Sequence, residues 1–175
     1  MAQVVSQAKL ILQRRQWKDN GQCVIFVGGC FDLLHPGHIR LLEQARSHGD
    51  ILIVGVLSDA SVRSRHVRSS GPEGSATVSA GEPPRPVTLA AERAEILAAL
   101  AAVDYVVEFD ESPPDGLVVR LAPDMIVKGA SPRPGPADVA EDRFAASQGA
   151  KIIGVLLEPG YSTTRLIERI TQAGA

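Results

Sequence analysis

Apolar residues in this chain fall in short unbroken runs, and helical periodicity fills most of the spaces between them. The runs are 24–27 (Val-Ile-Phe-Val), 51–57 (Ile-Leu-Ile-Val-Gly-Val-Leu), 104–109, 125–127 and 152–157. Runs of this length, rich in β-branched residues, read as strands covered on both faces. Ile39, Leu42 and Ala45 recur at helical spacing after the first run. Ile96, Leu97 and Leu100 follow Thr88, which predicts a helix capped by that threonine and ending near residue 100. Further helices are expected over 114–121, 137–147 and 162–173, with an amphipathic one within residues 1–20. The alternation predicts an α/β, doubly wound, Rossmann-like fold, a five-stranded parallel sheet with helices on both faces. Two stretches, 69–84 and 129–136, are rich in Ser, Gly or Pro and carry no core pattern. Both are expected to be mobile loops over the carboxyl edge of the sheet, where they can close on a substrate.

Composition narrows the class. At 175 residues the chain is expected to be a single domain with one core. Its 45% hydrophobic and 22% charged content is that of a soluble globular protein. A formal net charge of −2 argues against a partner such as nucleic acid or an anionic membrane surface. No run approaches the ~18 apolar residues of a membrane span. Residues 1–17 carry neither a long apolar stretch nor a small-residue cleavage site, so a cytoplasmic location is expected. Cys23 and Cys30 flank the first strand, which holds them roughly 20 Å apart, beyond the ~7 Å that a disulfide can span.

Candidate chemistry concentrates where the first strand turns into its helix, at Gly29-Cys30-Phe31-Asp32-Leu33-Leu34-His35-Pro36-Gly37-His38. Pro36 suits the first helical position, which makes His35 the N-cap and puts His38 in the first turn. Imidazoles cap poorly, and a cation there opposes the helix dipole. An anionic ligand removes the oddity, since neutral or charged imidazole donates to phosphate oxygens. A metal site is the competing reading of His-x-x-His, although no Cys, Asp or Glu cluster offers a third ligand. An exposed histidine pair is the plain alternative. A second constellation, Gly160-Tyr161-Ser162-Thr163-Thr164-Arg165, precedes the last helix. Ser162 can cap, but Arg165 stands where a capping box wants Glu or Gln, and its charge also opposes the dipole. A phosphate at this helix end reverses that penalty.

The ten-residue turn resembles the first signature of the cytidylyltransferase-like nucleotidyltransferase superfamily, and Ser162-Thr163-Thr164 resembles the second. Between them, Gly55-Val56-x-Ser58-Asp59-Ala60-Ser61, Arg85-Pro86-Val87, Arg93 with Ala98-Ala99-Leu100-x-x-Val103-Asp104, and Pro123-Asp124-x-x-Val127-Lys128-Gly129 are similar to one branch. That branch is the D-glycero-β-D-manno-heptose 1-phosphate adenylyltransferase domain of ADP-heptose synthesis. Glu158-Pro159 stands where glycerol-3-phosphate cytidylyltransferases carry Arg-Thr. The chain also departs from the branch. Val27, Gly28 and Leu57 replace Thr, Asn and Asn, and Ala130-Ser131-Pro132 replaces Gly-Asp-Tyr. A long 69–84 stretch replaces a short loop with Leu-Lys-Gly, leaving Arg65, His66 or Arg68 to stand in for its lysine.

The resemblance implies transfer of AMP from ATP to a sugar 1-phosphate with release of pyrophosphate. It implies His35, His38 and Lys128 as catalytic groups. Cys30, Phe31, Gly37, Gly129, Tyr161, Ser162, Thr163 and Thr164 then bind the nucleotide beside the two histidines. Asp32, Arg65, Arg68, Arg93 and Arg165 are the candidates for the acceptor. Mg²⁺ is expected to arrive with the nucleotide, held by phosphate and water and not by protein side chains. A homodimer is expected from the family. The alternatives are a cytidylyltransferase using CTP and a polyol phosphate such as glycerol 3-phosphate, and a nucleotide-binding module without turnover.

Overall fold

The computed structural model describes residues 2–69, 84–110, 116–130, 147, 149–156 and 160–173. Six strands form one parallel sheet: β1 (Gln3–Val4), β2 (Val24–Gly29), β3 (Ile51–Leu57), β4 (Tyr105–Phe109), β5 (Met125–Ala130) and β6 (Lys151–Leu156). Their order is β1-β4-β3-β2-β5-β6. The helices are α1 (Gln7–Asp19), α2 (Pro36–Arg46), α3 (Asp59–Ser69), α4 (Ala90–Ala98), α5 (Leu117–Leu121) and α6 (Thr163–Ala173).

The runs 24–27 and 51–57 become the central strands β2 and β3, which are covered on both faces. All seven residues of β3 are buried. Alternate residues serve opposite faces, as the pleat requires. Ile25, Val27, Leu52, Val54 and Val56 pack with Leu41, Leu42 and Ala45 of α2 and Ala94 and Leu97 of α4. Val24, Phe26, Ile51 and Ile53 pack with Leu10 and Trp17 of α1 and Leu117 and Leu121 of α5. Gly55, opposite Gly28 in the ladder, makes room for aromatic packing. A Cβ on Gly55 would lie 2.5 Å from Phe26 Cζ and 2.9 Å from Phe109 Cε1.

Three expectations change. Among the described residues the sheet has six strands, not five, because residues 3–4 pair with β4 ahead of the N-terminal helix. Gln3 donates to Asp104 O (3.1 Å) and Val5 to Val106 O (2.9 Å), and Ser6 caps α1 by accepting from Lys9 N (3.3 Å). A two-residue strand has no period to read. Next, a helix that the sequence did not predict, α3, precedes the 69–84 stretch, its start fixed by the Ser58 hydroxyl, which accepts from Ser61 N (3.2 Å). Finally, β5 runs on through Lys128 and Gly129. The 70–83 and 131–136 parts of the expected loops, the 137–147 helix up to Ser147, and Glu158-Pro159 lie outside the described residues.

The topology places a cleft. The chain moves outward from β2 to β4, then returns to the other side of β2 at β5, so the order reverses between β2 and β5. Registered pairing of these two strands is confined to Ile25 with Met125 and Phe26 with Ile126. Beyond that point β2 stays with β3 as far as Gly29, and β5 stays with β6 as far as Ala130. The carboxyl ends of β2 and β5 therefore diverge at the switch point, where open α/β sheets bind ligands.

Candidate active site

The turn after β2 is strained and held from three sides. Phe31 (φ 53°) and Leu33 (φ 46°) adopt the left-handed conformation without being glycine, at about 1 kcal/mol or more each. Asp32, only 2% exposed, accepts from Val87 N (2.9 Å), Thr88 N (3.0 Å) and the Thr88 hydroxyl (2.9 Å). Arg93, 1% exposed, donates to Cys30 O (2.5 Å), Leu57 O (2.9 Å) and Thr88 O (3.0 Å), and pairs with Asp59 (2.5 Å). The Thr163 hydroxyl donates to Asp32 O (2.8 Å), which joins the second constellation to the first. Asp32 and Arg93, taken from the sequence as acceptor-binding, are thus engaged by the protein itself and set the shape of the turn. Thr88 is not the cap of α4. Leu89 holds that position, its N–H donates to Glu92 (2.9 Å), and the Thr88 hydroxyl goes to Asp32.

The histidines occupy the expected helix start. His35 is the N-cap of α2, Pro36 opens the helix, and His35 Nδ1 accepts from His38 N (3.3 Å). The two rings stack with centroids 3.7 Å apart and planes 14° from parallel. The Phe31 ring meets His38 edge-on at 5.3 Å. Gly37 leaves space for this arrangement, since a Cβ there would lie 3.1 Å from His35 Nδ1 and 3.2 Å from Tyr161 Cβ. Burial pushes both imidazoles below the usual histidine value, His38 to about 4 with a further contribution from His35. His38 Nδ1 is buried and has no hydrogen-bond partner among the described residues.

The second helix end lies beside this turn. The Ser162 hydroxyl accepts from Arg165 N (3.2 Å), capping α6 as expected. Thr164 Oγ1 accepts from Arg85 (3.3 Å), a cation that the sequence reading quoted within Arg85-Pro86-Val87 without giving it a role. Gly160 takes φ +102°, and the Arg165 guanidinium comes within 3.6 Å of where a Cβ would project. Tyr161 is 41% exposed and stacks under the Arg40 guanidinium at 5.5 Å. Lys128 and Gly129 sit in β5, opposite Gly154 and Val155 of β6, on the far wall of the cleft. The side chains of Arg65 and Arg68 lie outside the described residues. Burial raises the Cys30 thiol, which disfavours the thiolate a nucleophile needs. Among the described residues no three His, Cys, Asp or Glu side chains come together, and the Asp32 carboxylate is already committed to backbone donors. A cavity of about 310 Å³ opens behind the turn, lined by Leu33, Leu34, Ile96, Leu97, Leu166 and Ile170 with Phe31, Thr88 and Arg93. Its apolar walls do not suit a polyphosphate. No helix among the described residues is long and apolar enough to cross a membrane.

Comparisons with known proteins bear on the family and the fold. The chain is 44% identical over 150 residues to the bifunctional protein HldE of Syntrophotalea carbinolica, covering 86% of this chain and 27% of that protein. It is 41% identical over 172 residues to HldE of Gluconacetobacter diazotrophicus, covering 98% of this chain and 32% of that one. The chain therefore spans about a third of the length of these curated relatives. A lipopolysaccharide core biosynthesis protein from Thermoplasma volcanium shares the fold, with a TM-score of 0.59 at 22% identity, over 79% of this chain and 99% of that one. A pantoate-beta-alanine ligase from Francisella tularensis gives a TM-score of 0.56 at 15% identity, over 91% of this chain and 69% of that one. Residues 26–169, which take in both helix ends and the cleft between them, match the cytidylyltransferase-like family, and the chain belongs to it.

Proposed function

We propose that this chain transfers AMP from ATP to a sugar 1-phosphate, D-glycero-β-D-manno-heptose 1-phosphate, and releases pyrophosphate. One observation carries the reading. Two helix amino-termini, one bearing His35 and His38 and the other Ser162, Thr163 and Thr164, are tied together by the Thr163–Asp32 bond at the mouth of the cleft. Oriented N–H groups and hydroxyls at two such ends suit a polyphosphate chain. The heptose acceptor is supported by the likeness of the intervening motifs to that branch, and by relatives named as bifunctional HldE proteins, of which this chain matches one portion.

The chemistry is in-line displacement. An oxygen of the acceptor phosphate attacks the α-phosphorus, the α–β bridging bond breaks, and its electrons leave with pyrophosphate. No covalent enzyme intermediate is needed, so catalysis rests on positioning and on stabilising charge at the phosphoryl oxygens. In this reading His35 and His38 donate to the α- and β-phosphates. Backbone N–H groups at Cys30 and Phe31 approach the nucleotide across Gly37, while the Ser162 and Thr164 hydroxyls and the Thr163 backbone N–H take the β- and γ-phosphates. Lys128 and Gly129 meet the nucleotide from β5, with Lys128 adding positive charge. Tyr161 closes the nucleotide side, and Arg165 and Arg85 add charge near α6. Mg²⁺ bound with the nucleotide would neutralise charge on the phosphates.

A matrix of nucleoside triphosphates against phosphorylated acceptors, read as pyrophosphate release, tests the proposal. ATP with heptose 1-phosphate is expected to give the highest kcat/KM. Preference for CTP with glycerol 3-phosphate would assign a cytidylyltransferase instead, and no release with any pair would leave a binding module.

A further inference from the structure

His35 spends its Nδ1 lone pair on the backbone N–H of His38, so its ring proton resides on Nε2. A second proton on Nδ1 would set two N–H groups against each other and undo the helix cap. His38 lies stacked on that ring and against the Phe31 edge, with Nδ1 buried and without a hydrogen-bond partner among the described residues. A lone pair is tolerated in that spot better than a stranded N–H, so Nε2 carries the proton of His38 as well. An imidazolium in either ring would also stand at the positive end of α2. Of the charged groups on adjoining elements, Asp32 favours a charged His38 and His35 disfavours it. Arg40 on α2, Arg85 and Arg93 around the start of α4, Lys128 on β5 and Arg165 on α6 are the cations of the adjoining elements, and Arg93 is already paired with Asp59.

We propose that His35 and His38 serve the polyphosphate as uncharged Nε2–H donors throughout turnover, and that the cationic charge of the site comes from Lys128, Arg85 and Arg165. This rests on the nucleotide reading above. A neutral donor strengthens its hydrogen bond as charge builds on the phosphoryl oxygens and keeps its proton, so pyrophosphate departs without protonation by either ring. The low proton affinity that burial imposes on both rings agrees with this.

Long-range ¹H–¹⁵N spectra of protein labelled at its four histidines test it directly. They would be recorded free and saturated with Mg²⁺ and α,β-methylene-ATP at neutral pH. Two neutral Nε2–H tautomers are expected at residues 35 and 38 in both states. Double protonation of either ring in the nucleotide complex overturns the proposal. Histidine resonances that respond to no triphosphate at all would instead refute nucleotide binding, an outcome distinct from an imidazolium. Kinetics give a second reading. His35→Asn retains a capping oxygen, but its shorter carboxamide places no N–H where Nε2 stands, so the melting temperature is expected to hold while kcat falls. His38→Gln, a neutral donor, is expected to keep more activity than His38→Arg, a cation, and the reverse order would overturn the assignment.

Discussion

Between about pH 6.5 and pH 4 the unfolded chain binds a proton at His38 that the folded chain refuses, because burial and the His35 ring hold the imidazole down to about 4. The sign follows from that difference. The stabilisation is complete above the unfolded value and is lost as pH falls, at up to about 1.4 kcal/mol per pH unit until the folded value is reached. Urea unfolding across this window is expected to show a slope that His38→Gln flattens; parallel slopes in the two proteins would contradict it. Much at this scale was legible. Pro36 at the first helical position identified His35 as the cap, and the misplaced charge of Arg165 identified the α6 end as unusual. Thr88 was not legible, because its hydroxyl bonds an aspartate far back in the sequence, in the turn after β2.

Elements meet at Arg93 and at the Gly28–Gly55 pair. Arg93 joins α4 to the ends of β2 and β3 and to α3, and truncating it leaves Asp59 and three carbonyls without their shared donor. Arg93→Ala is expected to cost about 3–5 kcal/mol, as for other broken buried pairs. Arg93→Lys is expected to rescue little, since an ammonium cannot span the same acceptors. Chemical denaturation measures both. Gly55→Ala drives a methyl into the Phe26 and Phe109 rings, which already meet edge-to-face at 5.8 Å. A loss of about 1–3 kcal/mol is expected from overpacking, partly relieved by adding Phe109→Leu, and a melting temperature equal to that of the parent would refute it. Long apolar runs made the central strands readable. The polar α3 and the two-residue β1 escaped, the first for want of apolar periodicity and the second because only the edge of β4 makes it a strand.

Across the whole molecule the two edges of the sheet do different work. At the amino edge three aspartates accept strand-end amides: Asp50 from Cys23 N (2.7 Å), Asp104 from Leu52 N (2.8 Å) and Asp124 from Val24 N (2.8 Å). Asp124 also pairs with the buried Arg14 (2.9 Å), which donates to Ala122 O as well. Asp124→Ala is expected to lower stability by about 1–3 kcal/mol, because it strands a buried guanidinium group and a backbone donor. Its KM for ATP and its kcat at saturating substrate are expected to match the parent below the unfolding transition. A changed KM would show that the edges are coupled.

The sequence alone determined the α/β class, the central strands, and the two helix ends that bear imidazoles and hydroxyls. Each of these is written in local periodicity or in residues that stand against the usual capping rules. Tertiary structure decided what those ends do together. The splaying of β2 from β5 past Phe26 and Ile126 depends on which strands are neighbours, a matter of order in the sheet that no local pattern encodes. The strained turn at Phe31 and Leu33 persists because residues from three other elements hold Cys30 and Asp32. The same packing decided which partners Asp32 and Arg93 take, since a buried charge must find them within the fold.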